Sequence, residues 1–230
     1  SGSSAANTGL IQYMSDQGLH TFIEQIGKKD AVHFYLASSK AVDVLTKIND
    51  EIPPLSFDTF AIKDSLILAT EKEKVEDLQG EVNVQNKNGL NPSFITEEEL
   101  EKIGIDAYGA LKAKPDISLN PYGFINRMIR AAKEKYDLQV FDETKYIQAK
   151  TEDDKERVTL SMQGKKEEHT FSKVVFACGY NPPKEFEHLL ENMTLSDTYV
   201  VVSNQDDFDE NLDYLVWEVK DPYTYFKYTF

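Results

Sequence analysis

Residues able to do chemistry are few in this chain, and they are scattered. The lone cysteine, Cys178, closes the run Lys173-Val-Val-Phe-Ala-Cys-Gly179. A buried strand that ends on small residues lets another backbone or a flat ligand approach closely. The opening run Ser1-Gly-Ser-Ser-Ala-Ala-Asn-Thr-Gly9 offers the same freedom, although its composition also suits a flexible tail. His20, His33, His169 and His188 form no HExxH, HxH or Cys/His pairing, so no metal site is expected. The acidic pairs Asp153-Asp154 and Asp206-Asp207 fall in expected loops and read as solvated. Asp206 to Glu210 lacks the glycine and terminal glutamate of a calcium loop. No GxGxxG, P-loop, GxSxG elbow or paired-carboxylate signature is present.

Composition narrows the partners. The 230 residues carry a net charge of −15, which repels phosphate backbones and anionic lipids, so neither nucleic acid nor membrane is an expected partner. No apolar run is long enough to span a bilayer, and no signal peptide opens the chain. One cysteine excludes an intramolecular disulfide and fits a reducing, cytoplasmic setting. A small-molecule ligand remains, with the oligomeric state undetermined.

The elements that would position these residues mix helix and strand without regular alternation, giving an α+β or irregular α/β class. Helical spacing runs from Ala31 to Ile48, after Asp30 as N-cap. Phe57–Ala61 and Ser65–Ala69 read as two strands around a turn at Lys63-Asp64. A charged helix from Glu71 to Gln85 turns Val75, Leu78 and Val82 inward and stops at Asn88-Gly89. Thr96-Glu-Glu-Glu99 is a capping box. Asn120-Pro121 opens a helix to Tyr136, with Phe124, Ile125, Met128, Ile129 and Ala132 as its inner stripe. Leu138–Ala149, Arg157–Met162 and His169–Ala177 then form a meander, with Thr151–Glu156 and Gln163–Glu168 as its loops. A short helix follows Pro182-Pro183. Tyr199–Ser203, Tyr214–Glu218 and Tyr223–Phe230 read as strands, with an acidic loop at Asp206–Asp213. Ending mid-strand, the chain is expected to be truncated.

The order of these segments resembles the FAD-dependent oxidoreductases of the D-amino acid oxidase and glycine oxidase family. The motifs that carry the likeness are the helix opening Asn120-Pro-Tyr-Gly-Phe124, the strand Val140-Phe-Asp-Glu-Thr144, and Val174-Val-Phe-Ala-Cys-Gly-Tyr180 in place of an "ATG"-like strand. Ser3 to Leu10 is similar to the family's small-residue loop beside the flavin. Asp64–Ala69, Leu215–Glu218 and Pro222–Thr229 look like its substrate-domain strands. The first nucleotide-binding unit and the C-terminal part of that family are missing.

The resemblance implies a β-meander remnant of an FAD-binding domain, residues 1–27 with 119–183, and a mixed-sheet substrate-binding domain, residues 28–118 with 184–230. It implies FAD as cofactor of the full-length parent, held in part by Ser4, Asn7, Thr8, Gly9, Tyr146, Cys178 and Gly179, with the isolated fragment expected to lack it and to be inactive. The parent would oxidise the C–N bond of an amine or amino acid. Lys227 stands where many members carry an arginine; it can neutralise a carboxylate but makes no bidentate fork. Tyr223, Tyr225 and Lys227 alternate and so share one strand face, from which they would orient the substrate. Two alternatives stand beside this reading: a non-catalytic ligand-binding or interaction domain, and a flavin dehydrogenase of a hydroxy acid or glycerol phosphate.

Overall fold

The computed structural model describes residues 6–152, 155–194, 199–201, 213–219 and 224–227. Two compact units emerge, residues 1–132 with 204–230, and residues 133–203. The class is α+β.

In the first unit a mixed sheet runs in the order β1 (Leu10–Ile11), β4 (Gly109–Leu119), β2 (Phe60–Ala69), β8 (Tyr214–Glu218) and β9 (Tyr225–Lys227), with β3 (Ser93–Thr96) also paired to β4. Its pairs are antiparallel except β2 with β8. Period-two alternation gives each face its own core. Ile67, Ala69, Leu111 and Ala113 pack with Leu19, Tyr35, Leu78 and Val82, from helices α1 (Leu19–Ile26), α2 (Lys28–Glu51) and α3 (Lys74–Lys87). Leu66, Leu68, Ala110 and Val216 instead pack with Leu100 of the short helix α4 (Glu97–Glu101) and with Ile105 and Ala107.

One sequence expectation changes here, and one strand is added. Lys63-Asp64 is not a turn, because β2 continues unbroken from Phe60 to Ala69. The pairing steps from Lys63↔Asp116 to Ser65↔Ala113, so β4 carries one extra residue opposite Asp64. That bulge falls at Lys114-Pro115, where a proline without an N–H can sit in an inner strand. The strand β4, central to the sheet, is the addition: its sequence pattern is broken by this same proline.

Helix ends follow local chemistry. Thr96 accepts from the Glu99 amide while the Glu99 carboxylate accepts from the Thr96 amide at 2.9 Å, completing the expected box. Asn120 caps α5 (Pro121–Tyr136), its Oδ1 accepting from the Gly123 amide at 3.1 Å. The inner stripe of α5 differs from expectation. Phe124 is buried but Ile125 is exposed, and Arg127 is buried instead. Its guanidinium lies 3.0 Å from Asp58, whose side chain is 1% exposed, and also donates to Asn49 of α2. Burial pushes the Asp58 carboxyl upward and Arg127 opposes that shift.

The second unit is built on an antiparallel meander, β5 (Thr144–Glu152), β6 (Lys155–Met162) and β7 (Lys165–Phe171). Gln163 and Gly164, at φ 49 and 81, make the tight two-residue turn between β6 and β7. The charged stretch from Lys165, expected as loop, therefore belongs to a strand, every residue of which is exposed. Lys184–Leu190 is a 3-10 helix. Residues 199–201 form no strand and are exposed, contrary to expectation. Asp153-Asp154, the end of the expected strand at 202–203, the acidic stretch 206–212 and residues 228–230 lie outside the described residues.

Replacing Arg127 by alanine strands the Asp58 carboxylate in the interior. Loss of one partner of such a pair costs about 3–5 kcal/mol, so the urea midpoint of R127A should fall sharply. A midpoint equal to that of the native chain would contradict a structural role for this pair.

Candidate functional site

Lys227 lies on β9 opposite Leu215 of β8, and its ammonium donates to the Ser118 hydroxyl on β4 at 3.2 Å. In the sheet order β8 and β2 stand between these two strands. Three strand spacings amount to roughly 14 Å in a flat sheet, more than a lysine side chain spans. The sheet must therefore curl at this end, and the bulge at Pro115 supplies extra twist one turn of the pleat away. The side chain of Lys63 is buried and pairs with Asp213. Burial, and then the charge of Lys63, push the Lys227 ammonium below its ordinary range. Among the described residues no carboxylate pairs with Lys227.

Tyr225 lies two residues along, opposite Trp217, and shares its strand face with Lys227. Phe226 between them faces the other way, opposite Val216. Tyr223 lies outside the described residues, as does Ser4. On the other pleat Lys112 pairs with Asp64 at 2.6 Å, and that hydrogen bond pushes the Lys112 ammonium upward.

Beside the lysines runs a buried polar chain that sequence reasoning missed. Asp116 accepts from the Ser65 hydroxyl at 2.6 Å and from the Tyr13 amide at 3.1 Å. Desolvation dominates over these bonds and pushes its carboxyl up to about 7. The Tyr13 hydroxyl donates to Gln85 at 2.8 Å, and Gln85 donates to Glu81 at 2.7 Å. Glu81 in turn accepts from the Leu19 and His20 amides at 2.6 and 3.1 Å, answering the N-terminus of α1. The available signal was spacing: Glu81 and Gln85 are four apart, on the stripe that contains Leu78 and Val82.

The expected cofactor residues of this unit are placed as follows. Asn7 folds back so that its Oδ1 accepts from the Gly9 amide at 2.9 Å. Thr8 is half-buried between them. Gly9 has φ +67, and a Cβ there would meet the Leu119 carbonyl at 2.0 Å, so only glycine fits. The Leu119 amide donates back to the Gly9 carbonyl at 2.9 Å, which fastens this loop to the end of β4.

In the second unit the Tyr146 ring meets Phe176 edge-on at 5.0 Å, and its hydroxyl donates to Glu185. Burial and that carboxylate push the phenol up to about 12. The expected buried strand at 173–179 is corrected: the segment follows β7 without a strand of its own. Val175 is 87% exposed and Cys178 is exposed. An apolar run becomes a strand only where a neighbour takes its hydrogen bonds, and the described meander ends at Phe171. Gly179 has φ +59, with open space where a Cβ would stand.

Among the described residues no His, Cys, Asp or Glu group could hold a metal ion, and no helix is long and apolar enough to cross a membrane.

No family model matches the chain, and no curated protein matches it in sequence. Solved structures do match. Glycine oxidase from Geobacillus kaustophilus superposes with a TM-score of 0.54 at 18% identity, over 78% of this chain and 46% of that one. L-proline dehydrogenase from P. horikoshii gives 0.48 at 19% identity, over 67% of this chain and 37% of its own. L-α-glycerophosphate oxidase from Mycoplasma pneumoniae, solved with FAD bound, gives 0.47 at 19%, over 67% and 38%. The chain thus spans less than half the length of these proteins, and the resemblance to glycine oxidase read from the motif order is present as a likeness of fold.

Asp116 sets a pH dependence. Its folded value of about 7 lies above the ordinary 3.8, so the folded chain retains a proton that the unfolded chain has released between these values. That stabilisation is complete below the unfolded value and is lost as pH rises through the folded one. Unfolding free energy should therefore decline from pH 4 to pH 7 more steeply in the native chain than in D116N. Parallel pH profiles for the two proteins would contradict the assignment.

Proposed function

We propose that this chain is the substrate-side scaffold of a flavin-dependent oxidoreductase, and that the full-length parent oxidises the C–N bond of an amine or amino acid. The observation that carries this reading is the superposition on glycine oxidase over 78% of the chain. The division into a discontinuous cofactor part and a substrate part, at the boundaries given above, belongs to the same proposal.

The fit to FAD is partial on this chain. Ala177-Cys178-Gly179 is exposed, with open space at Gly179, and offers bare backbone to a flat group. Gly9, by contrast, is occupied by Leu119. In the first unit Ser4, Asn7 and Thr8, and separately in the second unit Tyr146, Cys178 and Gly179, are the residues proposed to hold FAD, with Gly9 serving to fasten its loop to β4; the fragment alone would not retain the cofactor. FAD supplies a two-electron acceptor for the hydride of the amine-bearing carbon.

The protein's own part is orientation and charge. Lys227, half-buried and held by Ser118, offers one positive charge to a substrate carboxylate. Binding such an anion offsets both the desolvation and the repulsion from Lys63. Tyr225, and Tyr223 by its alternation in sequence, would flank that carboxylate on the same face. A lysine makes a point contact where an arginine would clamp, so a single carboxylate is held with less angular control.

Two measurements on the full-length parent test this. It should carry the visible absorption of a bound flavin, bleached under anaerobic conditions by a carboxylated amine. K227A should raise KM for that amine by about tenfold or more, as expected for a lost charge-assisted hydrogen bond. A colourless parent that FAD cannot reconstitute would overturn the proposal. Bleaching by a hydroxy acid or glycerol phosphate alone would transfer it to a flavin dehydrogenase.

A further inference from the structure

A cleft of about 820 Å³ opens on the helix-covered face of the first unit, at the C-terminal ends of the parallel strands β2 and β8. This volume is within the range of small-molecule pockets. Its floor is apolar, with Ile67, Leu78 and Trp217. Its rim is acidic: Asp16, Glu71 and Asp77 are all exposed, and Lys74 is the one lysine among the lining residues. Lys227 and Ser118 are not part of it.

Two helix N-termini reach the cleft, and a free one would favour an anion. Both are already answered. Glu81 accepts from the first amides of α1, and Glu76 and Asp77 occupy the first turn of α3. With those positive ends answered, the excess of carboxylates over the single lysine among the lining residues sets the sign of the field. Trp217 adds an aromatic face suited to a cation that carries hydrocarbon.

We propose that this cleft binds an organic cation, an apolar or aromatic group bearing a protonated amine, with the hydrocarbon on Ile67, Leu78 and Trp217 and the ammonium toward Asp16, Glu71 and Asp77. The inference does not depend on the parent's flavin chemistry, because none of the proposed cofactor residues lines the cleft.

Trp217 is the only tryptophan in the chain, so its fluorescence reports the cleft directly. The 230-residue chain is titrated with phenethylammonium, and separately with phenylacetate and benzyl alcohol as anionic and neutral analogues. The cation should give a saturable change in Trp217 emission that weakens as salt is raised. The double variant Glu71→Gln/Asp77→Asn, both exposed positions, should bind it about fivefold or more weakly, as expected for two rim charges. A native-like far-UV spectrum and a cooperative urea transition would show that it folds. No saturable change with the cation would overturn the proposal. So would equal binding of the three probes, or an affinity unaffected by the double variant.

Discussion

A proline in the middle of an inner strand constrains everything else in the first unit. Pro115 gives no hydrogen bond to β2, so β4 must bulge where it passes Asp64. On one side of the bulge β2 and β4 keep the alternation that buries Ile67 and Leu111 on one face and Leu66 and Ala110 on the other. On the other side Lys63 and Asp116 are opposite each other and both are buried. The bend also lets β9 come within reach of β4 across two intervening strands, so that Lys227 meets Ser118. Without the extra residue, Asp116 and the lysines would not share one end of the sheet.

Charge is distributed to suit this geometry. The first unit holds its buried carboxylates on amides and hydroxyls: Asp116 on Ser65 and Tyr13, Glu81 on the start of α1. Asp58 is held by Arg127. Lys63 has Asp213, and Lys112 has Asp64. Lys227 differs, being half-buried beside a second ammonium with a neutral hydroxyl accepting its hydrogen bond. A cation kept in that state costs stability unless an anion arrives, and the proposed carboxylate role of Lys227 rests on that.

Much of this was legible in the sequence, and the exceptions have physical causes. Helices α2, α3 and α5 follow from apolar period, and Thr96–Glu99 and Asn120-Pro121 mark the starts of α4 and α5 through local hydrogen bonds alone, whereas α2 begins at Lys28 behind Gly27 and takes Asp30 into its first turn instead of using it as the cap. The strand β4 was hidden because Pro115 interrupts its alternation. The single strand β2 was read as two because Lys63-Asp64 is polar, although Lys63 is buried and Asp64 is paired across the sheet. Lys227 could be singled out only through a family likeness, and its contact with Ser118 depends on a curl that no local pattern encodes. The run at 173–179 misled for the opposite reason: its residues suit a strand, but the described chain supplies no neighbour for it. Arg127 at an apparently apolar position of α5 was invisible because its partner, Asp58, comes from a loop 69 residues earlier.

Whether this end of the sheet receives an anion depends on the state of the Lys227 ammonium, which can be measured directly. Isotopic methylation of the lysines, with Lys227 assigned by its absence in K227R, allows its titration to be followed by NMR in the chain as it stands. A pKa below that of an ordinary lysine is expected, moving upward when a carboxylated amine is added. A value at or above the ordinary one, unmoved by any carboxylate, would show that Lys227 already has its anion and is not a substrate-binding group.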